Sequence, residues 1–122
     1  MTIELKSVCG YIRTNAKDRT FDERLAFLKS VIELHEDWKC EDILIDRSGL
    51  LGINRPSLAS IVEKMENGEL KYIVVTHFAV IHPNVEILQK FVNKLKGLGC
   101  GVVALQERVN TLFLDQPLKD IL

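Results

Sequence analysis

Residues 42–46 (DILID), 72–76 (YIVVT) and 101–105 (GVVAL) are compact apolar runs rich in β-branched side chains. Residues 6–13 (KSVCGYIR) make a fourth, interrupted by Gly10. Runs that are apolar at successive positions suit strands covered on both faces, as in a parallel sheet flanked by helices. Between them the apolar positions recur at helical spacing. Residues 21–35 carry Leu25, Leu28, Ile32 and Leu34, with Phe21 and Phe27 flanking, and Thr20 stands where an N-cap belongs, ahead of Asp22 and Glu23. Residues 56–67 open with Pro56 and stop before Gly68, with Leu58, Ile61, Val62 and Met65 as the apolar stripe. Residues 83–96 open with Pro83 and stop near Gly97, with Val85, Leu88, Phe91, Val92 and Leu95 on the stripe.

The resulting order is β-α-β-α-β-α-β. It predicts a three-layer α/β domain with a mostly parallel, four- to five-stranded sheet over residues 1–106 and right-handed crossovers. A tail, 107–122, holds two apolar patches, Thr111 to Leu114 and Leu118 with Ile121 and Leu122, and reads as a short helix or an extra strand.

Composition narrows the classes. At 122 residues the chain is one domain, and 47% hydrophobic residues exclude disorder. Sixteen Lys and Arg against 17 Asp and Glu give a net charge of −1, which excludes a strongly basic arm or an acidic tail as a whole-chain property. No apolar run nears the ~20 residues of a membrane helix, and Met1 to Lys6 lacks a signal-peptide core, so a cytoplasmic location is expected. Cys9, Cys40 and Cys100 are far apart and odd in number, and read as reduced thiols packed as small hydrophobes. His35, His77 and His82 show no metal-ligand spacing, and neither a metal nor a cofactor is expected.

In an open α/β sheet, ligands bind beyond the carboxyl ends of the strands. The loops there are 14–20, 47–55, 77–82 and 106–110. Arg13, Arg19, Arg47 and Arg55 fall in or beside them, and Lys17 joins them, whereas Arg24 lies inside the first helix. Two arrangements fit: a basic crevice whose guanidinium forks hold phosphate oxygens, or ion pairs with Asp18, Asp22, Glu23 and Asp46 on a solvated surface. There is no P-loop signature. The cluster Gly97-Leu98-Gly99-Cys100-Gly101 follows a helix, the reverse of a dinucleotide fingerprint, and reads as a helix C-cap and turn.

Gly10-Tyr11-Ile12-Arg13-Thr14-Asn15 resembles the Tyr-x-Arg-Val-Ser motif that opens the catalytic domain of the serine recombinases, the resolvase/invertase family. Asp46-Arg47-Ser48-Gly49 and Asn54-Arg55-Pro56-Ser57-Leu58 resemble its Asp-x-x-Ser-Gly…Arg-Pro-x-Leu stretch. Glu66 to Val75 resembles the lead into the family's third strand, and Leu88 to Gly101 its following helix, so the similarity spans roughly residues 8–106. The resemblance implies a serine that attacks a DNA phosphodiester to form a phosphoserine link, with arginines neutralising the phosphoryl oxygens. Carried across, Arg13, Arg55 and Asp46 keep their places, but the nucleophile position is Asn15, and a Gln early in the first helix becomes Arg24. The family's Leu-Asp-Arg-Leu-x-Arg reads His77-Phe78-Ala79-Val80-Ile81-His82, so Ala79 and His82 stand where arginines are expected.

A carboxamide cannot form the phosphoserine link. Thr14, expected to point to the opposite face of the strand, Ser48 in another loop, and Cys9 farther back are the remaining nucleophiles nearby. The resemblance therefore implies a recombinase catalytic domain without strand cleavage, whose partners are the DNA backbone, an intact recombinase or a second copy of itself. A divergent active subunit and a small phosphate- or nucleotide-binding module are the alternatives. Arg13 and Arg55 either bind phosphate or buttress the fold, and His77 and His82 are expected to cap or pack loops. The family continues into a dimerisation helix and a DNA-binding region, and 107–122 is too short for either.

Overall fold

A computed structural model of the chain describes residues 4–15, 17–47 and 55–122. Its elements are β1 (Lys6–Thr14), α1 (Phe21–Leu34), β2 (Trp38–Arg47), α2 (Pro56–Glu66), β3 (Tyr72–Val75), α3 (Val85–Gly97), β4 (Gly101–Ala104) and β5 (Val109–Asn110). Short 3₁₀ turns cover Phe78–Val80, Thr111–Phe113 and Leu118–Asp120. The sheet order is β2-β1-β3-β4-β5. The first four strands are parallel, and β5 runs antiparallel to β4. The mostly parallel, three-layer architecture expected from the chain pattern is what the molecule adopts.

Alternation along each strand feeds two cores. Val8, Ile12, Tyr72 and Val74 face α1, where they meet Leu28 and Ile32. Cys9, Tyr11, Ile73, Val75 and Val102 face α2 and α3, where they meet Ile61, Met65, Leu88, Val92 and Leu95. Each side chain buried at these positions contributes roughly 1.5–3 kcal/mol, and this burial on both faces is why the runs contain few polar residues.

Three local features differ from the pattern reading. β2 begins at Trp38, four residues ahead of the apolar run, and Lys6 to Val8 pair with Trp38 to Cys40. Polar residues are tolerated there because β2 is an edge strand, and an extra residue, Glu41, interrupts the register between the Val8–Cys40 and Cys9–Asp42 pairs. The third helix starts at Val85 rather than Pro83. Asn84 is its N-cap, with Oδ1 accepting from the N–H groups of Glu86 and Ile87 at 2.9 and 3.1 Å. Thr20 occupies the N-cap position of α1 without a capping bond, since its hydroxyl donates to Asp18 Oδ1 at 2.8 Å.

Both long helices on the α2/α3 face end on left-handed glycines, Gly68 (φ 75°) and Gly99 (φ 73°), which lets the Glu69 and Cys100 amides fold back onto the Lys64 and Leu95 carbonyls. Residues 107–122 supply both of the elements read as alternatives, a two-residue strand and 3₁₀ turns. Thr111 and Leu118 are wholly buried, Thr111 Oγ1 accepts from Val102 N–H at 2.8 Å, and the Leu118 N–H donates to Gln89 Oε1 at 2.7 Å. Cys9 and Cys100 pack inside, as expected of small hydrophobes, but Cys40 is exposed on the edge strand. Among the described residues no helix is long and apolar enough to cross a membrane.

Candidate functional site at the carboxyl edge of the sheet

β1 and β3 are sheet neighbours, but the chain leaves β1 toward α1 on one face and β3 toward α3 on the other. Such a reversal opens a crevice beyond the strand ends. Here it is an open cleft of about 320 Å³. Arg13, Thr14 and Asn15 from the end of β1 form one wall, with Asp18 and Arg24 above them. His77, Ala79 and Val80 from the β3–α3 loop form the other.

The β1–α1 loop is organised by Asp18. Its Oδ2 accepts from the Thr14 hydroxyl at 2.8 Å, and its Oδ1 accepts from the Thr20 amide and hydroxyl at 2.9 and 2.8 Å. The Arg24 guanidinium closes the set with an ion pair to Asp18 Oδ2, and its Nη2 also donates to the Arg13 carbonyl at 3.2 Å. The Thr14 hydroxyl, then the Thr20 hydroxyl and amide, hold the Asp18 carboxyl well below the usual range, so it carries a fixed negative charge. Asn15 accepts the Lys17 N–H on its own Oδ1 at 2.8 Å, an Asx turn, and Asp18 N–H donates to the Asn15 carbonyl at 3.1 Å.

Thr14 was expected to point away from Asn15. It lines the same crevice because β1 ends at Thr14 and the chain turns at Asn15, so strand alternation no longer separates the two. Its hydroxyl is engaged by Asp18 and the residue is 5% exposed.

Asp46, at the end of β2, is buried. It accepts from the Tyr11 hydroxyl at 2.7 Å and from the Ser57 and Leu58 amides at 2.9 and 3.1 Å. Burial opposes its ionisation, but these donors, Ser57 first, outweigh it and hold the carboxyl below its usual value. Asp46 therefore joins β1 and β2 to the N-terminus of α2, where a carboxylate is favoured.

Arg55, immediately before α2, is 9% exposed. Its Nη1 donates to the Val80 carbonyl at 3.2 Å and to the Ile81 carbonyl, bracing the crevice wall from behind. Burial draws its guanidinium below the usual pKa, and among the described residues Nε and Nη2 have no acceptor.

The structure thus brings Arg13, Asn15 and Ala79 together at the crevice, with Arg55 and Asp46 behind it. Lys17, Arg19 and Arg47 are exposed and are not among its lining residues; Arg47 instead lies 5.3 Å from the centroid of the Phe21 ring. Ser48 lies outside the described residues. His82 Nδ1 accepts from the Asn84 N–H at 2.9 Å, a turn contact just ahead of α3. His77 lines the crevice with Nδ1 3.0 Å from Thr76 Oγ1.

Arg24 lies inside α1 rather than in a carboxyl-edge loop, at the position where the resembled family has a Gln, and it lines the crevice. The signal for it was its place in the first turn of the helix that follows β1, where a side chain overhangs the strand end.

The family model described as Resolvase, N terminal domain, matches residues 8–121. Among solved structures, the chain is similar to the N-terminal catalytic domain of TP901-1 integrase, at 19% identity and a TM-score of 0.75, covering 88% of this chain and 82% of that one. It is similar to a resolvase family site-specific recombinase from Streptococcus pneumoniae at 13% identity and a TM-score of 0.75, covering 95% and 83%. The C-terminal catalytic domain of ISC1926 TnpA, an IS607-like serine recombinase, is similar at 14% identity and a TM-score of 0.70, covering 81% and 69%. No curated protein matches the chain. The β1–β3 crevice and the family match over nearly the whole chain agree, and the chain belongs to the resolvase N-terminal domain family.

Proposed function

We propose that this chain is a serine-recombinase catalytic domain that holds a DNA phosphate in the β1–β3 crevice without cleaving the strand. The observation that carries the reading is Asn15 at the end of β1, with its carboxamide oxygen tied to the Lys17 amide where the resembled motif has a nucleophilic serine. The Arg13 and Arg24 guanidinium groups at the same crevice suit phosphate oxygens. Ala79 and His82, at the positions of two further arginines, leave less charge to stabilise a transition state. The domain then works in the cytoplasm by contact with the DNA backbone and with an intact recombinase.

The test is incubation of the chain with recombination-site DNA, followed by denaturing trapping of covalent protein–DNA adducts and, separately, a binding titration at several salt concentrations. The expected result is no adduct, together with weak binding that falls with salt and is reduced in Arg13→Gln. An adduct at any residue overturns the reading. An adduct at Thr14, whose hydroxyl donates to Asp18 inside the crevice, would favour an active subunit with a displaced nucleophile.

A further inference from the structure

The crevice wall formed by the β3–α3 loop is anchored by a side chain from outside that loop. The Leu105 N–H donates to the Val75 carbonyl at 3.0 Å and the Gln106 N–H to the Thr76 carbonyl at 2.8 Å, so the chain leaving β4 runs beside the chain leaving β3 as far as the crevice. Phe78, which opens the 3₁₀ turn Phe78–Val80, is buried, and His77 ahead of it offers no side-chain cap to the turn. Glu107 supplies the missing acceptor: its Oε2 takes the Phe78 N–H at 3.0 Å.

The turn is gripped at its other end as well. Arg55 Nη1 donates to the Val80 and Ile81 carbonyls. A carboxylate thus meets the amide end and a guanidinium the carbonyl end, the arrangement that aligned peptide dipoles favour. Glu107 uses one oxygen only; Oε1 is buried without a partner among the described residues. Burying an idle carboxylate oxygen is unfavourable, and the contact it accompanies is the one with the Phe78 amide.

His77, Ala79 and Val80 line the crevice, and Glu107 is not among its lining residues. Ala79 has nothing beyond its Cβ with which to reach across. The distance of this wall from Arg13 and Asn15 is therefore set by the backbone of the turn, and so by the two anchors.

We propose that Glu107 is a positioning residue of the crevice, acting through the Phe78 amide to fix the wall that carries His77 and Ala79. This rests on the reading of the crevice as the binding site given above.

The experiment compares wild type, Glu107→Ala, Glu107→Gln and Gln106→Ala, each as the full chain. Gln keeps one carbonyl oxygen at the same reach, which is all the Phe78 amide uses. Ala and Gln remove the same charge, so their difference reports the contact and not the electrostatics. Gln106, exposed on the same turn, is the control. Amide hydrogen exchange followed by NMR reads the turn at Phe78, Val80 and Ile81, and the centre of the sheet at Ile73 and Val74. Titration of a short labelled DNA duplex at low salt reads the crevice.

Glu107→Ala should raise exchange at the turn amides by about tenfold or more, with Ile73 and Val74 changed by less than about threefold, because a local opening leaves the rest of the protein closed. Its DNA affinity should fall about threefold or more below that of Glu107→Gln, following the fraction of molecules whose wall is displaced. Exchange in Glu107→Gln and Gln106→Ala should stay within about threefold of wild type. Equal rises at the turn and in β3, or loss of the fold altogether, make the contact a general support and overturn the proposal. Exchange in Glu107→Gln matching that of Glu107→Ala overturns it too, as does equal DNA affinity of the two once the turn has loosened. These outcomes leave DNA binding by wild type intact. If wild type binds no DNA, the reading of the crevice falls and this proposal with it.

Discussion

The Tyr11 hydroxyl donates a 2.7 Å hydrogen bond to Asp46 Oδ2 inside the protein, joining β1 to β2 beneath the crevice. The same carboxylate receives the first amides of α2. Three elements thus meet on one buried charge. Tyr11→Phe removes one of three donors and should cost about 1.5–3 kcal/mol, the range for a hydrogen bond to a charged group. Asp46→Ala leaves all three donors without an acceptor and should cost more. Urea denaturation of both variants checks the order, and equal losses would show that the α2 amides find other partners.

Asp46 and Asp18 both titrate below the ordinary carboxyl range in the folded chain. A carboxyl with a depressed folded pKa stabilises the fold above its unfolded value of about 3.9, and that contribution is lost as pH falls through the folded value. Stability should therefore decline below about pH 4. Denaturation midpoints taken from about pH 6 down to about pH 2 should fall less steeply in Asp46→Asn than in wild type. An unchanged acid slope in that variant would remove Asp46 as a source of the decline.

Two glycines are held by space, with different consequences. A Cβ on Gly10 would meet side-chain carbons of Ile43, Leu28 and Ile32 at 2.9, 3.1 and 3.3 Å. The Leu28 and Ile32 methyl ends can shift, whereas Ile43 Cγ1 sits next to a branched Cβ and yields less, so Gly10→Ala should cost about 1–3 kcal/mol. A Cβ on Gly101 would meet the Leu112 backbone nitrogen at 2.9 Å, as well as Asn110 Oδ1 at 2.9 Å. Backbone cannot move aside without displacing the 111–113 turn, and Gly101→Ala should cost upwards of 2 kcal/mol. Thermal melts of the two variants decide the order.

Leu118 is fully buried in the core that α3 shares with the sheet. Leu118→Ala should cost about 2–4 kcal/mol through lost burial and the cavity left behind. A loss under about 0.5 kcal/mol, the size of a surface substitution, would mean that residues 107–122 are a dispensable appendage.

Asn15→Ser restores a hydroxyl at the end of β1 but not the wall opposite it, where Ala79 and His82 remain. Each missing stabilising donor typically lowers a rate by ~10²–10³. The variant, like wild type, should give no trapped DNA adduct. An adduct would show that the hydroxyl alone was lacking.

The apolar runs and helical stripes determined the order of elements and the three-layer parallel fold, because burial on one face or both leaves a periodicity that one chain can display by itself. The Arg13-Thr14-Asn15 end of β1 and the Arg55-Pro56 entry to α2 were equally legible, since both are local motifs. What each charged side chain does was decided only by the fold. Arg55 turned inward onto the Val80 and Ile81 carbonyls, and Arg24, four positions into α1, turned toward the crevice. Arg47 moved over Phe21, and Asp18 became the centre of the β1–α1 loop. Hydrophobic burial is a property of pattern, and sequence carries it. The partner of a guanidinium or carboxylate depends on which loops meet at the sheet edge, and the order β2-β1-β3-β4-β5, with its reversal between β1 and β3, exists only once the chain has folded.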